Sequence, residues 1–371
     1  MYVKKIKLIN FRNYINLDIE LNKTLNIFVG DNAQGKTNLL ESIYICSNGR
    51  SYRTSKDKEL INLNKTKAYI GLDIEKEQFT KSVEIKFEKD MKKRIRVNKV
   101  ELEKVSELIG ILNVVIFSPE DLKLVKEGPA ERRNFLDIEI SQIKPRYKYN
   151  LAKYNKILMQ RNNLLKSQPQ KISQDLLDIW NTQLSQVGAE IITERVRFIE
   201  KLAIISKNIH NKLTGELEEL RLEYLPSFNI DGLNIQDIQL RMKSILEKNI
   251  DIDIQKGSTG IGPHRDDLDI IINGISARIF GSQGQQRTAA LSLKLAEVEL
   301  IKSEIGEYPV LLLDDVFSEL DLNRRKYLIS TFKDVQTIIT STDDIDLEKL
   351  YNVGKKVFFI KEGKVMIREE R

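Results

Sequence analysis

Gly30-Asp31-Asn32-Ala33-Gln34-Gly35-Lys36-Thr37 decides the fold, because it satisfies the pattern G-x-x-x-x-G-K-[ST] at every fixed position. Ahead of it, Leu25-Asn26-Ile27-Phe28-Val29 reads as a buried strand. Behind it, residues 37–45 read as a helix with an apolar side. A glycine-rich turn between a strand and a helix lets the backbone wrap a polyphosphate. Several N–H groups then point inward, and the helix N-terminus adds the positive end of its dipole. In this arrangement Lys36 neutralises the outer phosphates and the Thr37 hydroxyl is a ligand of Mg²⁺. Gly30, Asp31, Asn32, Ala33, Gln34, Gly35, Lys36 and Thr37 are therefore the expected nucleotide contacts, with ATP and Mg²⁺ as cofactors.

A phosphate loop needs a carboxylate for its metal, at the end of a neighbouring strand. Val310-Leu311-Leu312-Leu313 followed by Asp314-Asp315 supplies it. Asp314 is expected to hold Mg²⁺ through water, and Asp315 to polarise the attacking water. Lys36 and Asp315 are thus the catalytic candidates, Thr37 and Asp314 the metal candidates. Phe280-Gly281-Ser282-Gln283-Gly284-Gln285-Gln286-Arg287 resembles the S-G-G-Q signature of ATP-binding-cassette proteins, with Gln283 in place of the first glycine. By that resemblance the elements of Ser282, Gln283, Gly284 and Gln285 contact the γ-phosphate of ATP bound to another subunit. Ser318-Glu319-Leu320-Asp321 stands where such proteins carry their interface D-loop.

Composition excludes several classes. The 371 residues leave room for a large core and two lobes. Sixty basic against 54 acidic residues give a formal charge of +6, which permits a polyanionic partner without proving one. Cys46 is the only cysteine, so no intramolecular disulfide forms, and with only His210 and His264 a cysteine/histidine zinc site is excluded. No run approaches the length of a membrane-spanning helix, and the first residues do not read as a signal peptide, so a cytoplasmic location is expected.

The organisation is α/β around a helical insertion. Residues 3–9, 17–21, 82–88 and 94–97 alternate with period two, and Val114-Val115-Ile116-Phe117 is a short apolar strand. Pro129 opens a helix reaching about Ile140. Tyr147, Leu151, Tyr154, Leu158 and Leu164, then Leu177, Trp180, Leu184, Val187 and Ile191, predict two antiparallel helices joined by a turn at Ser167-Gln168-Pro169-Gln170. Asn273-Gly274 predicts a two-residue hairpin between strands at 268–272 and 275–280. Residues 287–301 read as a buried helix, and residues 310–313, 337–339 and 357–360 as central strands of a parallel sheet. Residues 1–140 and 255–371 are expected to form one ATPase head of ABC type, with an antiparallel β subdomain. Residues 141–254 would form the inserted arm.

Longer stretches narrow the class. Asn10-Phe11-Arg12-Asn13-Tyr14, Phe117-Ser118-Pro119-Glu120-Asp121-Leu122, Gly128-Pro129, Arg132-Arg133-Asn134-Phe135-Leu136-Asp137, Gly262-Pro263-His264-Arg265-Asp266-Asp267 and residues 312–321 closely resemble the bacterial RecF family. The resemblance spans almost the whole chain. It implies a P-loop ATPase head like those of Rad50 and the SMC proteins. It also implies ATP-dependent homodimerisation and DNA binding at single-strand gaps or junctions. Cooperation with RecR and RecO in loading the recombinase, and roles in replication restart and SOS induction, come with it. Two departures from the general cassette pattern predict slow hydrolysis used for switching: Asp315 stands where glutamate is usual, and residues 339–343 carry hydroxyls in place of a switch histidine. A transporter ATPase subunit and a P-loop small-molecule kinase are the alternative classes.

Further candidates carry less chemistry. Arg94 and Arg96 share one strand face, and Arg324-Arg325-Lys326 forms a basic run; either suits a phosphate backbone or a solvated surface. His264 suits a structural tie or a coupling role, Arg12 and Asn13 suit nucleotide contact or packing, and Cys46 reads as a small buried residue. No Q-loop glutamine stands out, and residues 117–122 are the segment in its place.

Overall fold

Alternation along β1 (Tyr2–Phe11) buries Val3, Ile6, Leu8 and Phe11, with a register slip between Val3 and Lys5. The computed structural model describes residues 1–77, 79–167, 173–230, 232–316, 324–325, 327–328, 334–342 and 354–368. After β1 come β2 (Tyr14–Glu20), β3 (Leu25–Val29), α1 (Lys36–Asn48), β4 (Lys67–Glu75), β5 (Thr80–Glu88), β6 (Arg94–Val97), β7 (Val100–Glu101) and β8 (Val114–Phe117). The helices α2 (Leu122–Lys126), α3 (Pro129–Ile143), α4 (Pro145–Ser167) and α5 (Gln174–Thr214) follow. Next are β9 (Leu220–Leu225), α6 (Ile235–Lys248), α7 (Ile250–Lys256), β10 (Asp267–Ile272), β11 (Ile275–Ser276) and α8 (Ala277–Phe280). The chain continues with α9 (Gln283–Ile305), β12 (Val310–Asp314), β13 (Thr337–Ser341), β14 (Lys355–Lys361) and β15 (Lys364–Arg368).

The chain divides into two compact units, one of Met1–Asp121 with Leu291–Arg371, the other Leu122–Ala290. In the first, an antiparallel sheet runs β2-β1-β4-β5-β6-β7, and a second sheet runs β15-β14-β3-β13-β12-β8. The second sheet is parallel apart from its β15 edge. Helix α1 packs against strands of both sheets, which is why Leu39, Leu40, Ile43, Ile45 and Cys46 are all fully buried. A helix covered on both sides needs apolar or small residues nearly all round.

In the inserted unit, α4 and α5 are antiparallel. Tyr147 meets Arg195 at one end of the pair (3.0 Å), and Arg161 meets Asn181 at the other (2.8 Å). The expected joining turn lies mostly outside the described residues. The apolar run at 177–191 belongs to a helix of 41 residues that continues to Thr214, capped by the Ser173 side chain and ended by Gly215 at φ 62°. The unit reaches beyond 141–254 on both sides, because α3 and β10 are tied within it by the bidentate pair of Arg132 with Asp267 (2.7 and 2.8 Å). The Asn273-Gly274 turn forms as expected, with φ of 50° and 82°. Its second strand is shorter than 275–280, however. Residues 277–280 turn into α8, whose end is closed by Gly281 N–H on the Ala277 carbonyl at 3.1 Å.

The phosphate-loop strand is held by ring packing as well as by its ladder. Phe28 on β3 stacks on Phe358 of β14 with centroids 4.5 Å apart and planes 8° apart, both rings fully buried. Phe28→Ala is expected to destabilise the first unit by about 3–5 kcal/mol, read from its urea unfolding midpoint.

Candidate functional site

The loop after β3 owes its shape to contacts within the protein. Ala33 and Gly35 both take left-handed backbone, φ 64° and 117°. The strain of a non-glycine there is sustained because neighbours overdetermine the loop. Asn13 Nδ2 donates to the Gln34 carbonyl at 2.7 Å and Tyr14 O–H to the Gly35 carbonyl at 2.9 Å. Gly363 N–H donates to the Gln34 carbonyl at 3.2 Å, Glu362 N–H to Gln34 Oε1 at 2.5 Å, and Gly30 N–H to the Ser341 carbonyl at 3.2 Å. A Cβ at Gly30 would meet the Ile360 carbonyl oxygen at 2.4 Å, and one at Gly35 the Asn13 amide at 2.5 Å. Glycine is therefore demanded at both fixed positions by the fold itself. Lys36 folds back over the loop and donates to the carbonyls of Gly30 and Asp31, the latter at 3.1 Å. Asp31, Asn32 and Ala33 form the exposed crest.

Thr37 and Asp314, far apart in sequence, meet: Thr37 Oγ1 donates to Asp314 Oδ1 at 2.9 Å. The expectation that the Asp314 strand neighbours the phosphate-loop strand is corrected, because β13 lies between β3 and β12. The intervening strand contributes Thr340, whose hydroxyl lies 2.9 Å from Asp314 Oδ1 and accepts from Asp315 N–H at 3.0 Å. Burial pushes the Asp314 carboxyl above its usual range, against the pull of the Thr340 and Thr37 hydroxyls. Asp315 has φ 54°, so the chain turns sharply as it leaves β12.

A buried carboxylate supports the first turns of α1. Glu41, fully buried, accepts from Arg12 Nε and Nη2 at 2.9 and 2.7 Å, from Ser51 Oγ at 2.5 Å and from Arg53 Nη1 at 3.3 Å. Arg53 also reaches Asn38 Oδ1 at 2.7 Å, and Asn38 Nδ2 donates to Asn13 Oδ1 at 2.8 Å. Arg12 and Asn13 thus act here through packing and tethering. Sequence reasoning missed Glu41 and Arg53, and read Thr340 only as one of the hydroxyls at residues 339–343. Only Thr340 left a visible signal, as a hydroxyl at the end of an apolar strand.

In the inserted unit Ser282 and Gln285 form a reciprocal capping box at the start of α9. Ser282 Oγ accepts from Gln285 N–H at 3.2 Å, and Gln285 Oε1 accepts from Ser282 N–H at 2.9 Å. Ser282, Gln283 and Gly284 are exposed, while Gln285 is anchored to Glu218 at 3.0 Å. The D-loop candidate 318–321 lies outside the described residues, as does Lys326.

The remaining candidates are structural in their local contacts. His264 is half-buried, with its ring nitrogens 2.8 Å from Tyr154 O–H and 3.1 Å from the Thr259 carbonyl. Burial lowers its pKa to about 4, and Arg265, Arg133 and Arg195 push the same way. On β6, Arg94 lies 3.9 Å from Glu88 and Arg96 3.3 Å from Glu101, which pairs both cations with carboxylates. In the 117–122 segment, Asp121 accepts from Ser118 N–H at 2.7 Å, and burial pushes its carboxyl up to about 6. Cys46 is buried, and burial raises its thiol pKa. Among the described residues no helix is long and apolar enough to cross a membrane.

A phosphate loop on a parallel strand, with an acidic strand two places away and an antiparallel sheet closing over α1, defines a P-loop ATPase head of the SMC type. Residues 2–365 match the family model for the RecF/RecN/SMC N-terminal domain. An Smc head domain from Pyrococcus furiosus shares the fold at TM-score 0.56 and 18% identity, over 99% of this chain and 96% of that one. The DNA replication and repair protein RecF of Clostridium tetani is 50% identical over 366 residues, covering 98% of this chain and 99% of that protein. The RecF of Alkaliphilus oremlandii is 49% identical, over 98% of this chain and all of that protein. A solved structure of the recombination mediator RecF with ATP superposes with TM-score 0.92 at 40% identity, covering 99% of each chain. The chain belongs to the RecF family.

The His264 environment gives a pH signature. Above its ordinary value of 6.5 the imidazole is neutral folded or unfolded. Below it the unfolded chain takes up a proton that the fold refuses until about 4, so stability falls as pH drops across that window. The loss reaches about 3 kcal/mol. His264→Gln is expected to remove this part of the pH dependence in urea unfolding, with the difference from the native protein growing below about pH 6.5.

Proposed function

We propose that the chain is a DNA-binding ATPase of recombinational repair. Two copies close head to head around two ATP molecules and clamp DNA at single-strand gaps or junctions. The observation that carries this reading is the 2.9 Å contact of Thr37 with Asp314, which joins the phosphate loop to the acidic strand across β13. The relatives named RecF support the DNA role, and the RecF structure described with ATP in the RecFOR pathway supports the nucleotide and partners of RecR and RecO type. Helping to load the recombinase, replication restart and SOS induction belong to the same reading, as does a cytoplasmic location.

Local chemistry supports each role. Residues 30–37 offer backbone N–H groups at the N-terminus of α1, and Lys36 carries an ammonium group already held over the loop. Thr37 and Asp314 fit Mg²⁺: two hard oxygen groups meet at 2.9 Å, where Thr37 would be a direct ligand and Asp314 would hold the ion through water. When bound, Mg²⁺ neutralises charge on the transferred phosphoryl group. Asp315, turned out of β12, orients and polarises the attacking water. Ser282 spends its oxygen as acceptor in the capping box, which leaves its O–H free to donate. With the α9 dipole behind it, that proton and the N–H groups of Gln283 and Gly284 suit a γ-phosphate presented by the second copy. Hydrolysis serves switching, with turnover below about 10 s⁻¹.

Lys36→Ala is expected to weaken ATP binding by about 100-fold or more in calorimetry, through loss of a charge-assisted phosphate contact. Ser282→Arg should keep ATP affinity within a few-fold yet lose both ATP-dependent dimerisation and hydrolysis. A Ser282→Arg protein that hydrolyses ATP at the native rate would contradict the composite site.

A further inference from the structure

Two guanidinium groups in the inserted unit are held by backbone carbonyls, and among the described residues neither has a carboxylate within ion-pair distance. Arg133 on α3 donates from Nη1 to the Asp266 carbonyl at 2.8 Å, and Arg265 donates from Nε to the Thr259 carbonyl at 3.2 Å. Three other arginines of the unit each have a carboxylate of their own. Arg132 pairs with Asp267 at 2.7 Å, Arg161 with Asp253 at 2.8 Å and Arg195 with Asp137 at 2.8 Å. The Asp266 side chain accepts from Ser227 N–H at 2.7 Å and from Tyr224, so its hydrogen bonds go to those groups. His264 stays neutral and feels both arginines. Asp267, Asp266 and Asp137 act on Arg133 through space, and none of them caps its guanidinium.

Five hydrogen bonds hold the loop that carries Arg265. Arg195 donates to the Pro263 carbonyl at 2.5 Å, and Arg161 to Thr259 Oγ1 at 2.7 Å. Asn162 Oδ1 accepts from Thr259 N–H at 2.9 Å, Asp253 from Gly260 N–H at 2.9 Å, and Ser227 Oγ from Gly262 N–H at 2.8 Å. These bonds bury charge and polar groups to hold a largely buried loop that exposes Gly260 and Arg265, a large outlay for a mere connection. A guanidinium has five N–H donors, so each arginine, tied by one bond to a carbonyl, keeps most of its fork for a ligand.

We infer that Arg133 and Arg265 form a two-guanidinium site for the phosphodiester backbone of DNA. The inference rests on the DNA-binding reading above and assigns contacts to it. A phosphate oxygen pair suits a planar fork, and backbone contact needs no base-reading groups. Near Arg133 and Arg265 in sequence, the exposed residues Glu131, Asn134 and Gly260 carry no apolar or aromatic side chain of the kind that anchors a protein partner.

The test is binding of gapped DNA by the full chain with ATP, measured by fluorescence anisotropy from about 50 to 200 mM salt. Arg133→Gln with Arg265→Gln should weaken binding about 10- to 100-fold at low salt and reduce the steepness of the log–log salt plot by about 2. ATP affinity should not change. Arg133→Lys with Arg265→Lys should restore the steep salt plot, which separates lost charge from lost folding. A glutamine double variant with native affinity and native salt dependence overturns the inference and leaves DNA binding by other residues standing. Weaker binding with the salt dependence unchanged also overturns it. So does loss of RecR or RecO binding with DNA affinity intact, which would assign the arginines to a protein partner. A native protein with no affinity for gapped DNA contradicts the proposed function and this site together.

Discussion

The bond between the Thr37 hydroxyl and the Asp314 carboxylate is the constraint on which the rest of the first unit depends. It requires the N-terminus of α1 and the C-terminus of β12 to meet at one point, although β13 separates the two strands. The intervening strand can lie there because it ends in Thr340, small enough to pass between them and polar enough to bond to Asp314. An aliphatic side chain at 340 would leave a buried carboxylate oxygen short of a donor and the Asp315 N–H without its acceptor. The raised pKa of Asp314 records the same tension, since burial costs the charged form more than two hydroxyls return.

The phosphate loop is shaped before any ligand reaches it. Asn13, Tyr14 and the β14–β15 turn hold its carbonyls, and neither Gly30 nor Gly35 has space for a side chain. Behind it, Glu41 draws Arg12, Ser51 and Arg53 into one knot beneath the helix. A buried carboxylate so fully bonded sets the position of α1 more than it adds stability, because desolvation offsets much of its attraction. Preorganisation of this kind lets ligand binding energy go into closing a dimer instead of ordering a loop.

Legibility followed locality. Residues 30–37 were readable because loop, strand and helix are contiguous, and the Asn273-Gly274 turn because its backbone preference is local. The order of strands was not readable: nothing near residues 310–315 says that β13 will pair on the side facing β3. Glu41 looked like an ordinary helix residue, since its partners come from residues 12, 51 and 53. Residues 275–280 favoured a longer strand by composition, and the close approach of Gly281 to Ala277 redirected them into a helical turn. Ser282 was legible twice over, as a helix cap and as a signature serine. The structure establishes the cap, and the second role needs another copy of the chain.

The central claim is that ATP unites half-sites from two copies, and the mass of the Asp315→Asn protein in solution tests it most directly. With the water-polarising carboxylate neutralised and Mg²⁺·ATP saturating, sedimentation velocity should find a stable species of twice the 43.0 kDa chain mass, reverting to one chain when nucleotide is withdrawn. A 43.0 kDa particle that binds ATP fully and stays single would contradict the account.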